Sequence, residues 1–591
     1  MQLYHAVALA MVAVQASAAP NATSESDLNG WYSCSEYTFS DEGSSDGGVA
    51  ECAVYSAPLC YPGICEAPAN ADSKVDVFVK RMVATAGNAE TASNVWLLAG
   101  GPGLSSTSSK YIVAAQFDNI YLTIFFVIVE SLMTDLHAEL EGTVNVYTMD
   151  HRGTGRSTRL DCVAAQDTTT NSPVGTDNDP SEIPACAQDL QEKYGDLAAF
   201  SVTTAATDVA TFIEKYTNRA NTLVYGGSYG TMFAVRLMQL APPTVTGYVL
   251  EGISYTPGAP ADKFYYTSNW DVHFGKVADA FMGLCKSDRV CNARFKSKSL
   301  SDTLQGLIKQ LDNKPNSTCA ELVYRTANPS QSPPSFALRS ALGDALMDPD
   351  LRTLIPPVVY RLNRCSAEDV DVLTHFFTSV YSDSQTQTQD NALESTLLNL
   401  LIVYSEMMEK PWPSMAKMEA RFTNAKMSSQ GGVFLTAPQY CAFSKEKSAI
   451  CDPLNLGAYD ANPIGYKRDQ YWNKTATIPS NGSVLILSGK LDPQTPDKYA
   501  KVLLDALDGK EKELVSFKYA SHNGDAWSNE CGQKLLLSYV RTGGDLKAMD
   551  RSCLDESPAF NMTTPEYFTK TYLGTDDVYD GVYNSSLASS S

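Results

Sequence analysis

Residues 224–231, Val-Tyr-Gly-Gly-Ser-Tyr-Gly-Thr, contain the arrangement in this sequence best suited to chemistry: Ser228 sits between glycines where an apolar run gives way to an amphipathic one. The run from Thr222 to Tyr225 predicts a strand and Met232 to Leu240 predicts a helix, so the chain must turn sharply between them. A G-x-S-x-G pattern in such a turn holds the serine in a strained conformation with its hydroxyl exposed. Glycines on both sides leave room for it. The next amide, on Tyr229, then lies at a helix N-terminus, where an N–H without an intrahelical partner and the positive end of the dipole face a developing oxyanion. The chemistry implied is nucleophilic attack on a carbonyl. The bland alternative is a glycine-rich loop, and the strand before and helix after argue against it.

A serine of ordinary pKa needs a histidine base and a carboxylate to orient that base, and strand–serine–helix turns of this kind take them in the order Ser, Asp, His. Of the six histidines, His5 lies in a leader-like segment, and His137 and His151 precede the serine. His273 and His375 follow it, but with no strand ending beside them. His522 remains: it follows Leu514 to Tyr519, which alternates as a strand does, and sits in the turn Ser521-His522-Asn523-Gly524. Upstream, the apolar run Ser483 to Ser488 ends in Gly489-Lys490-Leu491-Asp492-Pro493, which makes Asp492 the orienting acid. Asp497 and Asp525 are rivals, read instead as a helix N-terminal acid and a solvated loop charge.

Two further loops follow apolar strands. Val95 to Ala99 runs into Gly100-Gly101-Pro102-Gly103, a loop almost without side chains whose amides can approach a substrate closely. Gly101 is the candidate second oxyanion donor, because Pro102 has no N–H. Val144 to Met149 ends in Asp150-His151-Arg152-Gly153-Thr154-Gly155-Arg156-Ser157, where Arg152 is expected to tie loops together through charge-assisted hydrogen bonds.

These segments together resemble the prolyl and tripeptidyl aminopeptidase branch of the α/β-hydrolases. Gly-Gly-Pro-Gly at 100–103, Asp-x-Arg-Gly-x-Gly-x-Ser at 150–157, Gly-Gly-Ser-Tyr-Gly-Thr at 226–231 and Asp-Pro-x-Thr-Pro at 492–496 are similar to that family's motifs, over residues 75–255 and 440–555. The stretch from Cys531 to Cys553 also resembles the C-terminal domain of bacterial tripeptidyl aminopeptidases. The resemblance implies an α/β-hydrolase fold and peptide substrates with a free N-terminus. Such an exopeptidase needs an acid for the substrate ammonium, and Glu251, just after a core strand, is the candidate, with a structural acid as its alternative reading.

Three departures stand out. Ala99 replaces the histidine that prolyl aminopeptidases usually carry there, which weakens strict proline specificity. Asn523-Gly524 replaces the usual small-residue turn. Residues 110–129 interrupt the family pattern beside the Gly-rich loop with an apolar run from Ile120 to Val129. That run is well short of the roughly 20 residues a membrane span requires. The expectation is a translated intron or misjoined exon, with a lid over the acyl pocket as the alternative.

Composition sets the wider bounds. The chain has 591 residues, 44% hydrophobic and 19% charged, which is ordinary globular material. Ala6 to Val14 followed by Ala16-Ser17-Ala18 reads as a signal peptide over residues 1–18, although its n-region lacks Lys or Arg. Fourteen cysteines suit an oxidising compartment and permit complete pairing, and their spacing does not match a zinc site. By proximity, Cys162 pairs with Cys186, Cys285 with Cys291, Cys319 with Cys365, Cys441 with Cys451, and Cys531 with Cys553; pairing among Cys34, Cys52, Cys60 and Cys65 is left open. Six N-glycosylation sequons, at Asn21, Asn316, Asn473, Asn481, Asn561 and Asn584, fit a secreted, extracellular product. The net charge of −22 argues against nucleic acid or anionic membrane as partners.

The expected organisation is a Cys-rich segment over 19–74, a hydrolase core over 75–256 and 441–556, a mostly helical cap inserted at 257–440, and a polar tail over 557–591. Such a cap stands over the strand ends and restricts the site to chain ends or small molecules. The reaction expected is a secreted serine exopeptidase working through Ser228, Asp492 and His522, with Tyr229 and Gly101 as oxyanion donors and no metal or cofactor. An esterase or lipase would use the same triad, and a catalytically silent binding protein on this scaffold is the non-enzyme alternative. Oligomeric state is left open.

Overall fold

A computed structural model describes residues 27–38, 50–69, 71–107, 112–113, 123–124, 129–162, 179–326, 333–384, 393–429, 431–522, 529–556 and 560–588. Its centre is a nine-stranded sheet in the order β1-β2-β3-β7-β4-β8-β9-β10-β11. The strands are β1 (Tyr32–Ser33), β2 (Ala50–Pro58), β3 (Lys74–Met82), β4 (Asn94–Leu98), β7 (Asn145–Met149), β8 (Thr222–Gly227), β9 (Val245–Glu251), β10 (Ser483–Gly489) and β11 (Lys512–Phe517). From β7 to β11 every pairing is parallel, whereas β1, β2 and β3 form an antiparallel extension. β5 (Ile112–Val113) and β6 (Thr123–Ile124) pair with each other apart from this sheet. The rest of the apolar insertion, with the intron and lid readings of it, lies outside the described residues.

β4, β8 and β10 are buried along their whole length, as parallel strands covered on both faces must be. Their alternate residues feed two separate cores. Trp96, Leu98, Val224, Val484 and Ile486 face one layer, with α3 (Val202–Tyr216), α4 (Tyr229–Leu240) and α15 (Lys498–Ala506). Val95, Leu97, Leu223, Tyr225, Leu485 and Leu487 face the other, with α1 (Val129–Glu139) and α16 (Glu530–Arg541). α2 (Ile183–Tyr194) flanks the first layer. The chain therefore has an α/β-hydrolase fold, with β7 placed between β3 and β4.

Between β9 and β10 the described elements are helical: α5 (Trp270–Leu284), α6 (Arg289–Arg294), α7 (Leu300–Asn313), α8 (Thr318–Thr326), α9 (Pro334–Met347), α10 (Ile355–Arg364), α11 (Ala367–Ser384), α12 (Thr396–Ile402), α13 (Met415–Asn424) and α14 (Ala437–Ser444). Amphipathic helices such as α7, with Leu300, Leu304, Leu307, Ile308 and Leu311 inward, build a cap core of their own.

Two expectations about organisation change. The N-terminal Cys-rich segment is part of the sheet, because β2 pairs with β3 along its full length. Residues 560–588, expected within a polar tail, fold onto the cap: α17 (Glu566–Leu573) packs on α11, Met562 and Leu573 are buried, and Arg361 donates to the carbonyls of Asp577, Val578 and Gly581. The apolar signal there is sparse, so the polar majority dominates a reading by composition. All five disulfides expected by proximity form, and the four open cysteines pair as Cys34–Cys52 and Cys60–Cys65.

Candidate active site

Ser228 lies between the end of β8 and the start of α4 with φ 54 and ψ −122, a backbone conformation that costs a non-glycine residue about 1–3 kcal/mol. Surrounding bonds hold it there. Its N–H donates to the Glu251 carbonyl at 2.8 Å, and its own carbonyl accepts from Thr231 N at 2.8 Å, Thr231 Oγ1 at 2.6 Å and Ser254 Oγ at 2.9 Å. The flanking glycines are required by contact: a Cβ on Gly226 would lie 2.2 Å from the Gly230 carbonyl, and one on Gly230 would lie 2.7 Å from the Leu98 carbonyl. The second contact also shows that the exit of β4 presses on the first turn of α4.

The sheet register sets Gly227, Glu251, Leu487 and Val515 level across β8, β9, β10 and β11. Ser228, Asp492 and His522 all lie beyond that line, on the loops at the carboxyl edge. The β10 and β11 loops are joined by Lys490 N donating to Phe517 O at 2.9 Å and Leu491 N to Ala520 O at 3.1 Å. They meet closely because Gly489 has no side chain; a Cβ there would be 2.4 Å from Ala520 O.

That junction brings Asp492 and His522 together, with Nδ1 2.8 Å from Oδ2 and both residues buried. Asp492 also accepts from the amides of Gln494 and Thr495 at 2.8 Å each and from Thr495 Oγ1 at 2.5 Å. Burial alone would push this carboxyl up, but His522 and the Thr495 donors outweigh it and hold the group below the usual carboxylate range. A carboxylate on Nδ1 selects the tautomer that carries its proton there and leaves Nε2 to act as base. Thr495, which completes the acid's surroundings, is the threonine of the Asp-Pro-x-Thr-Pro motif, whose spacing brings its amide and hydroxyl onto the carboxylate.

Gly101 is buried at φ 39 and accepts from Leu104 N at 3.0 Å, and Tyr229 opens α4, so both expected oxyanion amides belong to elements at this edge. Glu251 is fully buried at the end of β9 and accepts from the Tyr225 hydroxyl at 2.5 Å, a setting that fits the alternative reading of it as a structural acid. It is the last residue of β9, and the packed strand end encloses it.

The neighbouring motifs have structural roles. Arg152 binds Asp208 through two nitrogens, at 2.7 and 2.6 Å, and donates to the carbonyls of Pro58, Leu59 and Ala199. His151 lies fully buried against Tyr229 and Phe233, where burial lowers its pKa to about 4 and keeps it neutral. His137 bonds Val83 O, and His375 bonds Thr571 O. Asp497 bonds Lys501 and Ser516 Oγ, while Asp525 lies outside the described residues.

Two family models match parts of the chain. Residues 118–324 match the family model described as alpha/beta hydrolase fold, and residues 464–553 match the one described as TAP-like protein. No curated relative matches the chain significantly. Among solved structures, it is similar to an esterase from Exiguobacterium antarcticum at 12% identity and TM-score 0.29, covering 80% of this chain and 97% of that one. It is similar to an epoxide hydrolase from Vigna radiata at 11% identity and TM-score 0.28, covering 79% and 95%. Mouse alpha/beta hydrolase domain-containing protein 10 matches at 9% identity and TM-score 0.27, covering 80% and 95%.

Proposed function

We propose that this chain, an α/β hydrolase whose C-terminal part is TAP-like, is a serine hydrolase that cleaves peptides from a free N-terminus through an acyl-enzyme on Ser228. The observation that carries the reading is the buried Asp492–His522 pair at 2.8 Å, held at the same sheet edge as a serine in left-handed backbone. His522 Nε2 takes the Ser228 proton as Oγ bonds to the substrate carbonyl carbon, and the amides of Tyr229 and Gly101 receive the oxyanion. As the C–N bond breaks, His522 returns the proton to the leaving amine, and water repeats the sequence to release the acid. Asp492 holds the imidazole tautomer and stabilises its cation throughout.

The TAP-like match supports a peptide over an ester, and a helical cap inserted after β9 suits a site that admits chain ends. Seven disulfides suit an oxidising compartment and support secretion. Among the described residues no helix is long and apolar enough to cross a membrane.

The test is turnover of aminoacyl- and tripeptidyl-anilides, each with a free and an acetylated N-terminus, beside short-chain esters and with Ser228→Ala as control. Hydrolysis of the free anilides, abolished by acetylation and by loss of the serine, is expected. Equal hydrolysis of blocked and free substrates, or of esters alone, would refute the exopeptidase reading.

A further inference from the structure

The two oxyanion amides sit on different parts of the chain, Gly101 in the loop after β4 and Tyr229 on α4. Their separation must be set to within a fraction of an ångström, because a donor displaced by about 1 Å loses much of its effect on the transition state. A single cap segment, residues 393–407, grips the carriers of both.

At its start it holds the Gly-rich loop. Asn399 Nδ2 donates to the Pro102 carbonyl at 2.8 Å, and Ser395 N donates to the Gly103 carbonyl at 2.8 Å. Thr154 Oγ1 also donates to Gly103 O at 2.8 Å, and Gly155 N donates to Leu393 O at 2.7 Å, so the neighbouring core loop is held by the same segment. The approach is close enough to require glycine: Gly103 has φ +91, and a Cβ there would lie 2.2 Å from Ser395 O. At its end the segment widens into a π-helical turn, Val403–Met407, a feature that recurs at functional sites. Glu406 on that turn pairs with Arg236 of α4 at 3.1 Å, both fully or nearly buried, and also accepts from the Tyr466 hydroxyl at 3.0 Å.

We propose that residues 393–407 form a brace that sets the spacing of the two oxyanion donors, with Asn399 the positioning residue on the Gly101 side; the inference rests on the serine-hydrolase reading above. Asn399 acts through backbone. The Pro102 ring fixes its φ, so a bond that fixes the Pro102 carbonyl also fixes the orientation of the loop immediately before it, which includes the Gly101 amide. Ser395 and Glu406 hold the two ends of the brace. Asn399 touches neither the reacting carbon nor the serine, so its effect should appear only where negative charge develops on oxygen.

The experiment uses the full chain with Asn399→Leu, which removes the donor, and Asn399→Asp, which sets a carboxylate against the Pro102 carbonyl. Each is measured for melting temperature, for kcat and KM on a free-N-terminal anilide, and for binding of two peptides of one sequence. One peptide is an aldehyde, which adds Ser228 Oγ to its carbonyl carbon and leaves an oxyanion-like hemiacetal. The other carries a methylene in place of the carbonyl. Expected are a fall in kcat of about 10- to 100-fold, a parallel fall in aldehyde affinity, and little change in KM, in methylene-peptide binding or in melting. Wild-type kcat and aldehyde affinity in either folded variant would overturn the brace. Equal losses for aldehyde and methylene peptides, tracking a lowered melting temperature, would also overturn it and reduce Asn399 to a structural contact. Wild-type turnover by Ser228→Ala would remove the serine reading and the brace together, whereas inert Ser228→Ala beside unimpaired Asn399 variants would remove the brace alone.

Discussion

At the scale of single residues, the behaviour of Asp492 follows from what surrounds it. Its two oxygens accept from His522, two amides and a hydroxyl, so an amide in its place would set an N–H2 against existing donors and favour the wrong imidazole tautomer. Asp492→Asn is expected to lower kcat by about 10⁴ with little effect on folding, measured as steady-state turnover beside circular dichroism. Asp271, in the cap, is an acid with the opposite shift. Burial raises its pKa to about 6 even though the Ser428 hydroxyl, the Val433 amide and the Arg421 charge favour its ionised form. With the folded pKa above the unfolded one, there is no penalty while both states are protonated. The penalty grows as pH rises through the interval between them, reaching about 3 kcal/mol above pH 6. Denaturation midpoints should therefore shift in favour of Asp271→Asn relative to wild type between about pH 4 and 7; parallel curves would rule out a buried, titrating carboxyl.

Among the elements, those that place the site are the ones most evident from the chain itself. Thr222–Tyr225 into Gly226-Gly227-Ser228, Val95–Ala99 into Gly100-Gly101-Pro102-Gly103, and Ser483–Ser488 into Asp492 are apolar runs ending at glycine, and each is a buried parallel strand with a loop at the same edge. Apolar runs and glycines are local signals. What they do not encode is pairing at long range: the antiparallel β1–β3 extension, the enclosure of Glu251 by Tyr225, and the grip of α12 on Pro102 all depend on residues distant in sequence. Gly103 illustrates the difference. As a residue in a Gly-rich loop it looks exchangeable, but Gly103→Ala should cost at least about 2 kcal/mol in stability and reduce turnover, because its backbone is left-handed and Ser395 O occupies the space. Gly30→Ala is the control, since Gly30 has φ +97 but nothing within 4 Å, and should cost only about 1 kcal/mol. Equal melting shifts for the two would contradict a steric role for the α12 contact.

For the whole molecule, a sheet with two flanking cores supplies the edge that carries Ser228, Asp492 and His522, and a cap with its own core stands between β9 and β10. The end of the chain packs onto the cap through α17 and the Arg361 bonds, and the cap contacts the Gly-rich loop and α4 of the core through residues 393–407. The disulfides close mostly short loops within the N-terminal strands, the cap and the last helices, and so stiffen each part. Both parts serve one claim, that Ser228 is a nucleophile activated by His522 and Asp492. The direct measurement is the site of covalent modification: the purified protein is reacted with a fluorophosphonate, weighed intact, and digested to locate the adduct by tandem mass spectrometry. One adduct per chain is expected, on Ser228, with labelling lost in Ser228→Ala and His522→Ala. An adduct on another residue, or labelling that persists in Ser228→Ala, would contradict it.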